Sequence, residues 1–349
     1  MYLISKELQS NVLKNLYRLL GHRPVRREIV NDSVPLPADW SSFMALEENK
    51  ADLAQLLSKH LIEYSPEYEP VVVVSGGFAE VTTVKSSDPE LEISSLSADH
   101  EEADTRLILH CIQAPMDTIV VSVNDTDVLL LLLVHHDRIG CTHLYMKAGT
   151  SKDPKYFPVH DIRKLLSDDQ VDTLLAFHAI TGCDSVSQFK QHHTNLTGLG
   201  KGPLTEDIVN STEKFICKMY GVPEVDTCNK ARVKLFCKGR PQVPPTSDAV
   251  KFHIMRSHYQ ATIWNQAHLP HPDLPPVDEM GWMHKEGQLV PQLMSLPPMP
   301  KACREFTSCG CTKGCLSQCC SCRKSRMECI DACNCRKPDN TYQNKIQGK

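Results

Sequence analysis

No stretch of this sequence is apolar for long enough to cross a bilayer. The longest uninterrupted run is residues 128–134, against the roughly 18–20 residues that a spanning helix needs. The opening residues, Met1-Tyr2-Leu3-Ile4-Ser5-Lys6-Glu7, have neither a basic start nor a long apolar stretch, so no secretory leader is expected. Internal repeats are lacking, and so is the glycine-rich loop of the P-loop nucleotide hydrolases. These absences argue against a membrane partner, export, a solenoid and a P-loop site. A chain that is not exported keeps its thiols reduced, so its 16 cysteines point to metal rather than to a disulfide framework.

What is present suffices for a real core. The chain has 349 residues, 41% of them hydrophobic and 23% charged, which excludes disorder throughout and allows one large domain or two modest ones. The net charge of −4 hides an asymmetry: residues 301–349 carry +6 and residues 1–300 carry −10. The same tail holds ten of the 16 cysteines. A basic, cysteine-dense tail on an acidic body suggests two units with different tasks. Between them, residues 241–300 contain 11 of the 23 prolines, which predicts an extended linking or wrapping segment.

Along the body, Leu3, Leu8, Val12, Leu16 and Leu19 predict helix in the first thirty residues. Asp39-Trp40-Ser41-Ser42 starts a second helix running to about Tyr64, with Phe43, Leu46, Leu53, Leu56, Leu57 and Leu61 on its apolar side. The β-branched run 71–74, bounded by Gly76-Gly77, predicts a strand buried on both faces. Residues 86–99 read as a polar loop. Helices are expected at 101–113, 127–135, 159–166 and 171–180, and strands at 118–123 and 142–147. Strands alternating with helices predict an α/β fold with a parallel sheet flanked by helices, whose ligands sit where strands end.

Acidic residues fall at such ends. Glu101, Glu102 and Asp104 open a helix, Asp125 and Asp127 follow an apolar strand, and Asp184 follows a helix. Each group also has a plainer role: Asp99 with Glu102 has the spacing of a capping box, and Asp125 can cap the helix it precedes. Taken together, so many carboxylates at one sheet edge would repel one another unless a cation neutralised them. Oxygen ligands suit Mg²⁺ or Mn²⁺, and two such ions can support phosphodiester cleavage.

The segments His100-Glu101-Glu102-Ala103-Asp104-Thr105-Arg106, Asn124-Asp125-Thr126-Asp127-Val128-Leu129 and Phe177-His178-Ala179-Ile180-Thr181-Gly182-Cys183-Asp184 resemble the PIN/flap-endonuclease-like nucleases of the mobile-element-associated type. The similarity extends to Pro35–Trp40, Asn49-Lys50, Pro244-Pro245-Thr246, His258–Trp264 and Gly281-Trp282. It implies a PIN-like, Rossmann-like three-layer fold. It also implies that Glu102, Asp104, Asp125, Asp127 and Asp184 bind catalytic metal, with Glu101 as a further ligand. Gly198-Leu199-Gly200-Lys201-Gly202 resembles a glycine-rich turn that meets the DNA backbone through main-chain amides; a flexible loop is an equal alternative. Such nucleases begin with a central strand ending in another metal-binding aspartate, and no apolar strand ending in Asp precedes Pro35.

In the tail, Cys309, Cys311, Cys315, Cys320, Cys322, Cys329, Cys333 and Cys335 are spaced so that thiolates converge on tetrahedral Zn²⁺ with little backbone travel, and metal binding would drive much of the folding. The pattern resembles the tesmin-like CXC cysteine-rich domain, a zinc module whose members bind DNA. Cys319 is extra and replaces an expected tyrosine, and Pro338 stands where a last cysteine is expected. Lys313, Arg323, Lys324 and Arg326 are candidates for phosphate contact. His178 near Cys183 is a weak thiol-nucleophile candidate, and His135-His136 and His192-His193 read as surface histidines.

The expected organisation is a helical segment (1–34), a PIN-like nuclease domain (35–240), the proline-rich segment (241–300), a CXC-type zinc module (301–340) and a disordered tail (341–349). The expected function is divalent-metal-dependent hydrolysis of nucleic-acid phosphodiesters, DNA ahead of RNA, in the nucleus or alternatively the cytoplasm. The alternative is a catalytically degenerate nucleic-acid-binding or zinc-dependent interaction protein derived from a mobile element.

Overall fold

The structure is a computed structural model. It describes residues 25–35, 37–64, 71–100, 102–182, 196–240 and 242–296, with 308–312, 315, 319–325, 327–329 and 333–336 of the tail. Two compact units meet in sequence at Leu293 and Met294.

Asp39 caps the first described helix, its carboxylate accepting from the Ser42 N–H at 3.0 Å. One long helix is expected here and two are found, α1 (Trp40–Met44) and α2 (Glu47–Tyr64). The buried Asn49 accounts for the break. Its amide donates to the Phe43 carbonyl at 2.8 Å and to the Val25 carbonyl at 2.9 Å, while its oxygen accepts from the Arg27 N–H at 3.0 Å. These bonds occupy a carbonyl that a continuous helix would use, and they tether residues 25–30, which are irregular. Of the expected apolar side, Leu57 and Leu61 are exposed. Residues 1–24, the rest of the expected N-terminal helical segment, lie outside the described residues.

The valine run differs from expectation. β1 (Val73–Ser75) pairs antiparallel with β2 (Val84–Ser86) in a two-stranded sheet of its own. With one neighbour only, it is not buried on both faces, and Val71 is exposed.

α3 (Ala103–Gln113), β3 (Thr118–Ser122), α4 (Thr126–Ile139), β4 (His143–Thr150), β5 (Asp153–Pro158), α5 (Val159–Lys164) and α6 (Asp168–Thr181) follow. β3 and β4 are parallel, with Ile119 opposite Leu144 and Val121 opposite Met146. β5 then returns antiparallel along β4. The sheet is therefore small and mixed where a parallel one is expected. β5 gave no periodic signal because it is solvent-exposed along most of its length; it pairs because a tight turn at Thr150–Asp153 folds it back.

α4 is the centre of the first core. Val128, Leu131 and Leu132 are fully buried with Leu144 and Met146 of the sheet, as expected of a helix apolar on most sides. Gly140 ends it in the left-handed region at φ 68°, where glycine has no Cβ penalty. A second core gathers Phe177, Ile180, Leu199, Phe215, Ile216 and Ile254 from α6, α7 (Glu206–Met219) and α9 (Ser247–Asn265), beside α8 (Cys228–Cys237).

α9 overturns the extended reading of residues 241–300. It supplies Ala261 and Trp264 to the first core and Val250 and Ile254 to the second. The eleven prolines fall at 241–245 and 270–300, leaving none between 246 and 269. Thr246 caps the helix with its side chain. After it comes the hairpin of β6 (Trp282–Lys285) and β7 (Gln288–Pro291). No helix among the described residues is long and apolar enough to cross a membrane.

His135, expected at the surface, is fully buried on α4. Its Nε2 donates to the Trp264 carbonyl at 2.8 Å and its Nδ1 has no partner. Burial pushes its pKa down to about 4, against a partial offset from that carbonyl bond, with Arg138 and His268 adding to the fall. An unfolded imidazole titrates near 6.5, so between pH 6.5 and 4 the unfolded chain binds more protons. The resulting stability is full above pH 6.5 and is lost as pH falls towards 4, a change of roughly 3 kcal/mol. Burial acts in the same direction on His100 and His258. Urea denaturation at pH 7.5 and 4.5 is expected to give a smaller difference in His135→Gln than in the wild type. An unchanged difference would exclude His135 as the source.

Candidate acidic site and cysteine metal centre

Asp125, at the end of the chain leaving β3, caps α4: its Oδ1 accepts from the Asp127 N–H at 3.0 Å. The expected Asp99–Glu102 capping box does not form. α3 begins at Ala103 with Glu102 itself as the cap residue and no side-chain capping bond, while Asp99 lies 3.3 Å from His271. Glu102 turns inward instead and is 2% exposed. Its Oε1 accepts from Gln260 Nε2 at 3.1 Å, and its Oε2 from Trp264 Nε1 at 3.2 Å.

That contact continues to a second carboxylate. The Trp264 ring stacks on His178, centroids 5.5 Å apart, and His178 Nε2 donates to Asp127 Oδ1 at 2.6 Å. Asp127 is 8% exposed. Glu102 and Asp127 thus belong to one buried network built from α3, α4, α6 and α9. Asp104 is half-buried in the first turn of α3. Glu101 and Asp184 lie outside the described residues. Among the described residues, the groups of three or more ligand atoms within 4.8 Å of one another consist of cysteines alone.

Gln260, Trp264 and Arg106 stood within the matched segments without a role. Gln260 and Trp264 are four apart, one helical face, but nothing local pairs that face with Glu102. Arg106 is 8% exposed and binds the carbonyls of His100, Val81 and Ala98, holding the segment before α3 in place. His178 is engaged by Asp127, and Cys183 lies outside the described residues, as do His192 and His193.

The glycine-rich segment is packed. The Gly200 N–H donates to His258 Nδ1 at 3.0 Å, and His258 Nε2 donates to the Gly202 carbonyl at 3.0 Å. Gly200 has φ 80°, and a Cβ there would lie 2.4 Å from that of Ala261, so only glycine fits. Its amide is already used inside the protein.

In the second unit, local spacing does most of the work. Cys309, Cys315, Cys320, Cys322, Cys329, Cys333 and Cys335 are buried and Cys311 is half-buried, whereas Cys319 is exposed. Cys309 Sγ lies 3.7 Å from Cys315, 3.8 Å from Cys329 and 3.7 Å from Cys335, and Cys322 lies 3.6 Å from Cys333. Disulfide sulfurs are about 2.05 Å apart. Four sulfurs at about 2.3 Å from a tetrahedral zinc are about 3.8 Å apart, so the cluster has the dimensions of a metal centre. Three four-sulfur sets meet the same criterion: Cys309, Cys320, Cys322 and Cys329; Cys309, Cys311, Cys315 and Cys320; and Cys309, Cys315, Cys329 and Cys335. Cys309 belongs to all three.

Around Cys309, burial opposes ionisation, but the Cys311 N–H and the thiols of Cys315, Cys335 and Cys320 outweigh it and bring the pKa down to about 6. Burial and Cys333 push the Cys322 thiol up to about 12. Arg323 Nη1 donates to the Cys315 carbonyl at 3.4 Å and Arg336 Nε to the Cys329 carbonyl at 3.1 Å, so both guanidinium groups brace the cluster. Lys313 and Arg326 lie outside the described residues. The cysteine cluster could hold a metal such as zinc.

No protein-family model, curated protein or solved structure matches the chain.

Proposed function

We propose that this protein is a PIN-like, divalent-metal-dependent nuclease whose zinc-bound tail contacts nucleic acid, with DNA preferred to RNA and the nucleus as its place of action. The observation that supports it is the buried network joining Glu102 at the start of α3 to Asp127 in the first turn of α4. Buried carboxylates are costly unless their charge is balanced, and the Gln260 and Trp264 donors are neutral. Asp104 and Asp125 stand in the same helix turns. An all-oxygen set fits Mg²⁺ or Mn²⁺. Glu102, Asp104, Asp125 and Asp127, with Glu101 and Asp184, would hold the ions. Bound there, they would supply an activated water and stabilise the leaving oxygen. The protein's own part is to fix the carboxylates: Trp264 orients Glu102 and His178 orients Asp127.

A second reading keeps the fold without the chemistry. His178 bonded to Asp127 and the two donors on Glu102 are also what an inert structural network contains, which fits a degenerate nucleic-acid-binding or zinc-dependent interaction protein.

Asp125→Asn separates these readings. An asparagine still accepts the Asp127 N–H, so the cap survives with little loss, but one ligand charge is gone. Millimolar Mn²⁺ is expected to raise the melting temperature of the wild type by mass action. The variant should lack that rise and lack any nuclease activity. An equal rise in both would remove Asp125 from a metal site. A rise without cleavage of DNA or RNA favours the inert reading.

A further inference from the structure

Among the described residues, the buried side-chain atoms without a hydrogen-bond partner are nitrogens with one exception, Gln260 Oε1. The residue is 1% exposed, and buried amide oxygens are nearly always paired. Its Nε2 donates to Glu102 Oε1 at 3.1 Å. The orientation is fixed by that bond: turning the amide over would set its oxygen against the carboxylate and leave the NH₂ orphaned. The amide oxygen therefore lies within about 5 Å of the Glu102 carboxylate, one amide group and one hydrogen bond away.

An unpaired acceptor beside a buried anion calls for something positive or for a donor. Hard divalent cations take carboxylate and Gln carbonyl oxygens together, and at about 2.1–2.5 Å per bond one ion bridges oxygens roughly 4–5 Å apart. No second carboxylate is needed at this point, because a neutral oxygen adds a ligand without adding repulsion. We infer that Gln260 is a neutral oxygen ligand of the divalent cation held by Glu102, so that α9 contributes directly to the metal site and also positions it. The inference rests on the nuclease reading and names a ligand for the same site.

The test uses the full-length protein, with Mn²⁺ binding followed by the electron paramagnetic resonance of free Mn²⁺ and by the Mn²⁺-dependent melting temperature. Gln260→Leu removes the oxygen and is expected to weaken Mn²⁺ binding at least tenfold. Gln260→Glu keeps the oxygen and adds a charge. It should lower the melting temperature of the metal-free protein at pH 7.5 and show a larger Mn²⁺-induced rise than the wild type. If only an internal water pairs with Oε1, Gln260→Leu binds Mn²⁺ as the wild type does and Gln260→Glu gains no extra rise, which overturns the inference. Binding that survives Gln260→Leu but is lost in Asp127→Asn overturns it alone. A wild type that binds no Mn²⁺ overturns the nuclease reading with it.

Discussion

Chelating the metal from the full-length chain is expected to abolish the order of the cysteine cluster while leaving residues 25–293 folded. The cluster's buried residues are all cysteines, so no aliphatic core stands in for the metal. Structural zinc sites contribute roughly 10–16 kcal/mol of apparent binding energy at neutral pH, more than a module of this size gains from burial. Substitution should be strongly position-dependent. Cys309→Ser removes a sulfur from each of the three four-sulfur sets and is expected to lower the zinc content by at least one ion per chain. Cys319→Ser, at an exposed position outside those sets, should leave it unchanged. Elemental analysis gives the stoichiometry, and amide resonances of the tail report its order. Equal zinc content in the two variants, or tail resonances indifferent to chelator, would refute the metal centre.

The second large effect concerns Trp264, which is 3% exposed. Trp264→Ala opens a cavity in the first core at a cost of about 3–5 kcal/mol. It also strips one donor from the buried Glu102 carboxylate, adding about 1–3 kcal/mol. Against a usual total of about 5–15 kcal/mol, that variant should be close to unfolded at ordinary temperature. Trp264→Phe keeps most of the ring over His178 and deletes the N–H, so it should cost only the hydrogen-bond share. Guanidinium denaturation of both variants separates packing from polar satisfaction. If Trp264→Phe is as stable as the wild type, Glu102 does not depend on the indole.

Both results bear on how much of this protein is local. The cysteine spacing was readable because its ligands are a few residues apart. The structure buries seven of the eight expected sulfurs, half-buries Cys311 and excludes Cys319. The capping role open to Asp125 and the helix α4 were readable for the same reason: a strand, a cap and an aliphatic run stand next to one another. The proline-rich segment misled because prolines were counted over sixty residues, when their clustering at both ends leaves an uninterrupted helix between them.

The sequence by itself determined the alternation of strands and helices through β3, α4 and β4, the division between an acidic body and a cysteine-dense tail, and the sulfur cluster. In each, the decisive spacing lies within a few turns of chain. Tertiary structure alone decided that Glu102 faces inward, because its donors Gln260 and Trp264 are 158 and 162 residues away. It also decided that the sheet is mixed, because β5 gains its place from the turn and from β4 rather than from burial. It decided the burial of His135, whose neighbours in sequence are ordinary but whose ring meets the Trp264 carbonyl 129 residues later. Periodicity shows which face of an element is apolar, and only packing shows which distant side chain meets the polar atoms on that face.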